Sequence, residues 1–196
     1  MKEVFLGKYL TLEDFCTCTQ TYQKYASKIY PFPQNPEETL PALQKLNQLI
    51  LDPIIDYFGV NNFRLTYGFC SKNLKRYLHK KDPETGQKNG RVAPELDQHM
   101  AHEVNKNGKY YCQRLGAACD FIIIGLASNQ VVDWILNQEL PFDSLYFYGI
   151  DKPIHISHGA QHKRDIRTFT ASGQPTQKGI EHWVELAKQL QKQSIE

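Results

Sequence analysis

The chain has 196 residues, 41% hydrophobic and 12% aromatic, with 23 Lys and Arg against 21 Asp and Glu, a formal net charge of +2. That length suits one well-buried domain and is short for two, while the composition excludes a disordered polymer and the near-neutral balance does not by itself point to nucleic acid. No apolar run reaches the roughly 18 residues of a membrane span, and the Met1–Leu6 start lacks the apolar stretch of a secretory signal, so a cytoplasmic protein without a membrane partner is expected.

In chain order, Thr11 can cap a helix running to about Tyr25, with Glu13 and Asp14 in its first turn, where the helix dipole favours acids. Pro31, Pro33 and Pro36 impose an extended linker. From Glu37, the series Leu40, Leu43, Leu46, Leu49, Ile50 and Ile54 predicts an amphipathic helix ending by Gly59 and kinked or restarted at Pro53. Phe63, Leu65, Tyr67 and Phe69 alternate as in a strand with one buried face. Lys72 to Lys80 reads as a short basic helix and Asp82 to Asn89 as a loop. The apolar run Cys119 to Leu126 predicts a central strand, and Gln130 to Gln138 a helix with Val131, Trp134 and Ile135 on one side. Leu145 to Tyr148, Ile154 to Ser157 and Arg167 to Thr170 read as further strands, followed by a closing helix over 181–191 with Trp183, Leu186 and Leu190 inward. Helices first, then strands interleaved with a helix, predict an α+β fold as one domain over 1–196: a small, mostly antiparallel sheet with flanking helices.

Five cysteines (Cys16, Cys18, Cys70, Cys112, Cys119) are odd in number and scattered, which argues against a disulfide framework. Cys16-Thr17-Cys18 has no second close pair with which to make a metal knuckle.

Two short runs carry the chemistry. Gly116-Ala117-Ala118-Cys119-Asp120-Phe121 is followed by Pro153-Ile154-His155-Ile156-Ser157, pairing a carboxylate with a histidine on separate strands. This resembles the zinc enzymes of the D-alanyl-D-alanine carboxypeptidase and hedgehog type, whose site reads Ser-x-His-x-x-Gly-x-Ala-x-Asp and closes with a Trp-x-His or Ile-His-Val-Ser run. The likeness spans roughly residues 9 to 157, taking in Tyr9 to Phe15, the Leu-Asp-Pro step before Phe58-Gly59, and the strand ending at Ser71. It implies a hedgehog/DD-peptidase-like fold, a zinc ion held by Asp120 and His155, a metal-activated water and a peptide substrate.

Three positions depart from that pattern. The family's first metal histidine falls at Gln113, its arginine at Cys70, and its catalytic acid at Lys152, with Asp151 the neighbouring candidate for a base. Residues between Ser71 and Gly116 exceed the family's length and contain Asp97-Gln98-His99-Met100-Ala101-His102-Glu103. On a helix, His99, His102 and Glu103 share one face, so His99 or His102 can take over the missing ligand role. Cys112 and Cys119 flank the motif, but Cys119 alternates to the side away from Asp120.

Beyond His155, the donors His158, His162, Lys163, Arg164 and Arg167 would suit an anion, phosphate especially, and Gln113 and Arg114 join them as candidate substrate contacts. With Lys72, Lys75, Arg76, His79, Lys80 and Lys81 they could form a basic groove in which Tyr110, Tyr111, Tyr146 and Tyr148 stack on bases. Two functions therefore stand: a zinc peptidase of the D-Ala-D-Ala type, or a non-catalytic binding or accessory protein using the same cleft for nucleic acid, phosphate or a protein partner.

Overall fold

Thr11 opens the first helix reciprocally: its hydroxyl accepts from the Asp14 backbone N–H, and the Asp14 carboxylate accepts from the Thr11 N–H. In this computed structural model, which describes residues 3–90, 93–169, 175–176, 185 and 188–189, that helix, α1 (Leu12–Thr17), is shorter than the sequence suggests. The Thr19 hydroxyl accepts from the Tyr22 N–H, so a second cap interrupts the chain at Cys18 and starts α2 (Gln20–Tyr25).

After the proline-spaced linker, α3 (Pro36–Leu46) passes through a wider π-helical turn (Asn47–Leu51) into α4 (Asp52–Phe58), which Gly59 closes at φ +91°. Pro53 has no N–H to donate and its ring crowds the carbonyl one turn earlier; the π-turn before it takes up that misfit. Ser71 caps the basic helix α5 (Lys72–Leu78), its hydroxyl accepting from the Leu74 N–H, and α6 spans Ser128–Asn137.

Six strands form one mixed sheet: β1 (Phe63–Tyr67), β2 (Ala117–Ile123), β3 (Ser144–Phe147), β4 (Ile154–His158), β5 (Asp165–Phe169) and β6 (Pro175–Thr176). Their order is β1-β2-β4-β3-β5-β6, and every pair is antiparallel except β3 with β5. The architecture is α+β, as the order of elements implied. The helix expected over 181–191 lies outside the described residues apart from three isolated positions. Among the described residues no helix is long and apolar enough to cross a membrane.

Alternation divides the sheet into two faces. Cys119, Phe121, Ile123, Leu145, Phe147, Ile154, Ile156 and Ile166 pack against Leu43, Leu46, Ile50 and Ile54 of the long helix and Val131, Val132 and Ile135 of α6. The opposite face carries Asp120, His155, Tyr146 and Arg167 and is flanked by a smaller cluster of Ile29, Cys70, Leu74, Leu78 and Met100. Strict alternation in β1 would leave Tyr67 on the core face with Phe63 and Leu65. The register instead shifts between Leu65, opposite Phe121, and Tyr67, opposite Asp120, so a bulge turns Tyr67 to the other face.

Candidate metal centre

One rung of the sheet carries the site. Tyr67 pairs with Asp120, Asp120 with His155, His155 with Tyr146, and Tyr146 with Arg167, so five neighbouring strands set five side chains in a row. Cys119 points into the core, fully buried, which removes it as a ligand. Cys112 is buried too, its sulfur directed at the Glu95 carbonyl.

The third candidate ligand comes from outside the sheet. The segment 97–103 is not the helix that its histidine spacing suggested; only a single 3-10 turn forms, Gln98–Met100. His99 in that turn is 3% exposed and points at the rung. Its Nδ1 lies 2.8 Å from the Gly68 carbonyl oxygen and must donate to it, because a carbonyl only accepts. Its own carbonyl accepts from the Cys70 N–H at 3.0 Å. Gly68 cannot carry a side chain here, since a Cβ would stand 2.3 Å from the Phe15 carbonyl oxygen.

His99 Nε2 then faces Asp120 Oδ1 at 3.3 Å, and His155 Nδ1 reaches the same oxygen at 2.8 Å. Ligand atoms of His99, Asp120 and His155 all lie within 4.8 Å of one another, so this group could hold a metal ion. The donor chemistry fits one. A neutral His99 that donates from Nδ1 sets its Nε2 lone pair against a carboxylate oxygen, and two acceptors at that distance need a cation or a proton between them. Asp120 keeps 22% of its side-chain surface open to the cleft, leaving room for a further ligand.

Without an ion the cluster holds itself together electrostatically. Burial opposes the charge on Asp120, but the neighbouring His99 charge and the hydrogen bonds from His155 and His99 outweigh it and hold the carboxyl well below the ordinary carboxylate range. Burial likewise works against a charged His99, yet Asp120, the nearby Asp97 and the Gly68 carbonyl together raise its pKa. Tyr146 stacks on the His155 ring at 4.5 Å and 17°, Tyr67 tilts against His99 at 4.3 Å, and the two imidazoles meet edge to face at 5.0 Å.

This cluster forms the floor of a cleft of about 690 Å³, walled by Tyr148, Phe169, Leu96, Asp97, Arg167, Lys88 and His79. Asp97 has one carboxylate oxygen accepting from the Ala93 N–H and the other buried with no hydrogen-bond partner among the described residues. Arg167 lies over Tyr146, 5.8 Å from the ring centroid, with its Nε donating to Asp165.

Several residues expected at the site are elsewhere. His102 accepts from the Gly116 N–H through Nε2 and sits 3.7 Å from Glu38, outside the cluster, because without a helix it does not share a face with His99. Glu103 is buried, accepting from the Gln34 N–H. Gln113 is exposed and does not line the cleft, because the loop carrying it reaches β2 only through left-handed turns at Leu115 and Gly116. Asp151 lies in the turn between β3 and β4, beside Arg64 and Ile122 in a separate depression, so it cannot serve as base at the metal centre. Arg114 does not line the cleft, and its guanidinium donates to the Ser144 and Tyr146 hydroxyls.

The basic cluster also comes apart. His158 is buried, His162 reaches the Pro141 carbonyl, and Arg164 bonds the Leu140 carbonyl while lying over Phe142; neither they nor Lys163 line the cleft. Of this cluster only Arg167, carried on β5, enters the cleft. Of the expected basic groove, His79, Arg167, Tyr146 and Tyr148 share the cleft, whereas Lys75 and Lys80 lie over Tyr111 and Tyr77 and the Tyr110 hydroxyl donates to Glu38. Sequence reasoning missed Tyr67 and Asp97. Tyr67 had no local signal, being turned by a bulge, whereas Asp97 stood two positions from His99. No protein-family model, curated protein or solved structure matches the chain.

Proposed function

We propose that the protein is a zinc-dependent hydrolase of the D-alanyl-D-alanine carboxypeptidase type, cleaving an amide bond in a small peptide. The observation that carries this reading is the convergence of His99, Asp120 and His155 on the floor of an open cleft, two histidines and a carboxylate with one side free. A zinc ion bound there supplies a water acidified to near neutrality and a Lewis acid for the scissile carbonyl.

The chain's own residues account for the rest. His99 is oriented by Gly68 and His155 by its stack on Tyr146, so both rings are fixed before any ligand arrives. Asp97 lines the same cleft with one carboxylate oxygen buried and unpartnered among the described residues, and its carboxylate takes the proton-accepting role that the sequence had suggested for Asp151. Arg167 offers a cation at the end of the rung for an anionic group of the substrate, and Tyr148 and Phe169, 4.5 Å apart, provide an apolar wall. A cleft of about 690 Å³ suits a small peptide. A role in nucleic-acid binding has less support, since of the basic residues expected for it only His79 and Arg167 line the cleft.

The test is elemental analysis of purified protein together with turnover of a D-Ala-terminated peptide in added zinc. One zinc per chain, turnover lost in His155→Ala, and turnover reduced about 100-fold or more in Asp97→Asn with zinc retained are the expected results. A wild-type protein that takes up no zinc overturns the reading.

A further inference from the structure

His99 is the one ligand not carried by the sheet, and a single 3-10 turn is too short to orient a side chain by itself. The adjacent residue, Gln98, is 2% exposed. Its amide nitrogen donates to the Leu115 carbonyl at 2.6 Å and to Asp143 Oδ2 at 3.1 Å. Leu115 leads directly into β2, the strand of Asp120. Asp143 is 2% exposed and tied into the neighbouring strands: its N–H donates to the Ser157 carbonyl, its carbonyl accepts from the Asp165 N–H, and its other carboxylate oxygen accepts from the Lys163 N–H. Ser157 lies on β4 with His155.

Two glycines make the space for this amide. A Cβ on Gly159 would stand 2.3 Å from Asp143 Oδ2 and 2.8 Å from Gln98 Nε2, and one on Gly116 would stand 3.0 Å from Gln98 Nε2. A buried amide paired with a buried carboxylate is costly to desolvate unless the bonds are made, so the pair specifies one position for the turn.

We propose that Gln98 is a positioning residue that sets the geometry of the metal centre, its amide locking the His99 turn to the strands that carry the other two ligands. The sheet fixes Asp120 against His155 through their register; Gln98 fixes His99 against both. This rests on the metal-binding reading of the cluster, and the experiment separates the two.

Zinc affinity is measured by competition with a chromogenic chelator, and in metal-free protein the exchange rate of the His99 Nδ1 proton is followed by NMR. The variants are Gln98→Met, which keeps length and loses both hydrogen bonds, and Gly159→Ala, which leaves Gln98 in place and crowds the pair. Ile55→Val, on the helix behind the sheet, serves as the control for a loss of stability alone. Loss of an outer partner of a ligating histidine weakens metal binding about 10- to 100-fold. That fall is expected in both variants together with faster exchange of the His99 proton, while Ile55→Val lowers the melting temperature and moves neither readout. Wild-type affinity and wild-type exchange in Gln98→Met overturn the proposal, and the same two results in Gly159→Ala overturn it if Gln98→Met does not fold. If the wild type binds no zinc, the metal reading falls and the exchange rates alone decide whether Gln98 holds His99.

Discussion

Replacing His99 and His102 in turn discriminates between two histidines that the sequence could not rank. A structural zinc ion held by four ligands binds with about 10–16 kcal/mol, or about 3 kcal/mol per ligand, so losing one weakens affinity by roughly two orders of magnitude. At a free zinc concentration about 100 times its dissociation constant, wild-type protein gains about 2.7 kcal/mol of stability. For a chain of this size that raises the melting temperature by about 5–10 °C. His99→Ala, binding about 100-fold more weakly, then sits near its own dissociation constant, gains only about 0.4 kcal/mol and rises by about 1 °C. His102→Ala keeps the whole rise, because its ring bonds the Gly116 N–H and faces Glu38 instead of the cleft. The assay is thermal unfolding with and without zinc, comparing the zinc-dependent increments, since His99→Ala also loses packing against Tyr67. A full increment in His99→Ala, or its loss in His102→Ala, refutes the assignment.

The metal-free protein should show a pH signature of opposite sign to that of zinc binding. His99 has a raised pKa, so its contribution is complete below its unfolded value of about 6.5 and is lost as pH rises through the raised folded value. Asp120 has a depressed pKa, so its contribution is complete above about 3.9 and is lost as pH falls through the depressed value. Apoprotein melting temperature is therefore expected to decline as pH increases beyond about 6.5, the zinc-dependent increment to grow over the same range, and Asp120→Asn to abolish the apoprotein decline; a flat apoprotein profile contradicts the cluster. Gly68→Ala puts a Cβ 2.3 Å from the Phe15 carbonyl oxygen. It is expected to lose about 1–3 kcal/mol in denaturant unfolding and part of the zinc increment, because the carbonyl that orients His99 must move; unchanged stability and affinity would show that the contact relaxes freely.

Local rules made much of this chain legible. The Thr11 cap, the spacing of apolar residues in the long helix, and strand alternation follow from neighbours within a few positions, and alternation alone put Cys119 and Asp120 on opposite faces and set His155 between two core isoleucines. The Gly-x-Ala-x-Asp and Ile-His-Ile-Ser runs singled out Asp120 and His155, and the structure sets them opposite each other. Tertiary structure decided what depended on distant partners. His99 was separated from His102 by hydrogen bonds to Gly68 and Cys70 and by the Gln98 contacts with Leu115 and Asp143, not by helical periodicity. Tyr67 reached the cleft through a bulge set by its pairing with β2, and Arg167 parted from Lys163 and Arg164 because β5 runs parallel beside β3 and brings it level with Tyr146. A residue's face within a strand is a property of the local backbone, but which rungs align across strands, and which loop closes over them, is settled only when segments far apart in the chain satisfy one another's hydrogen bonds.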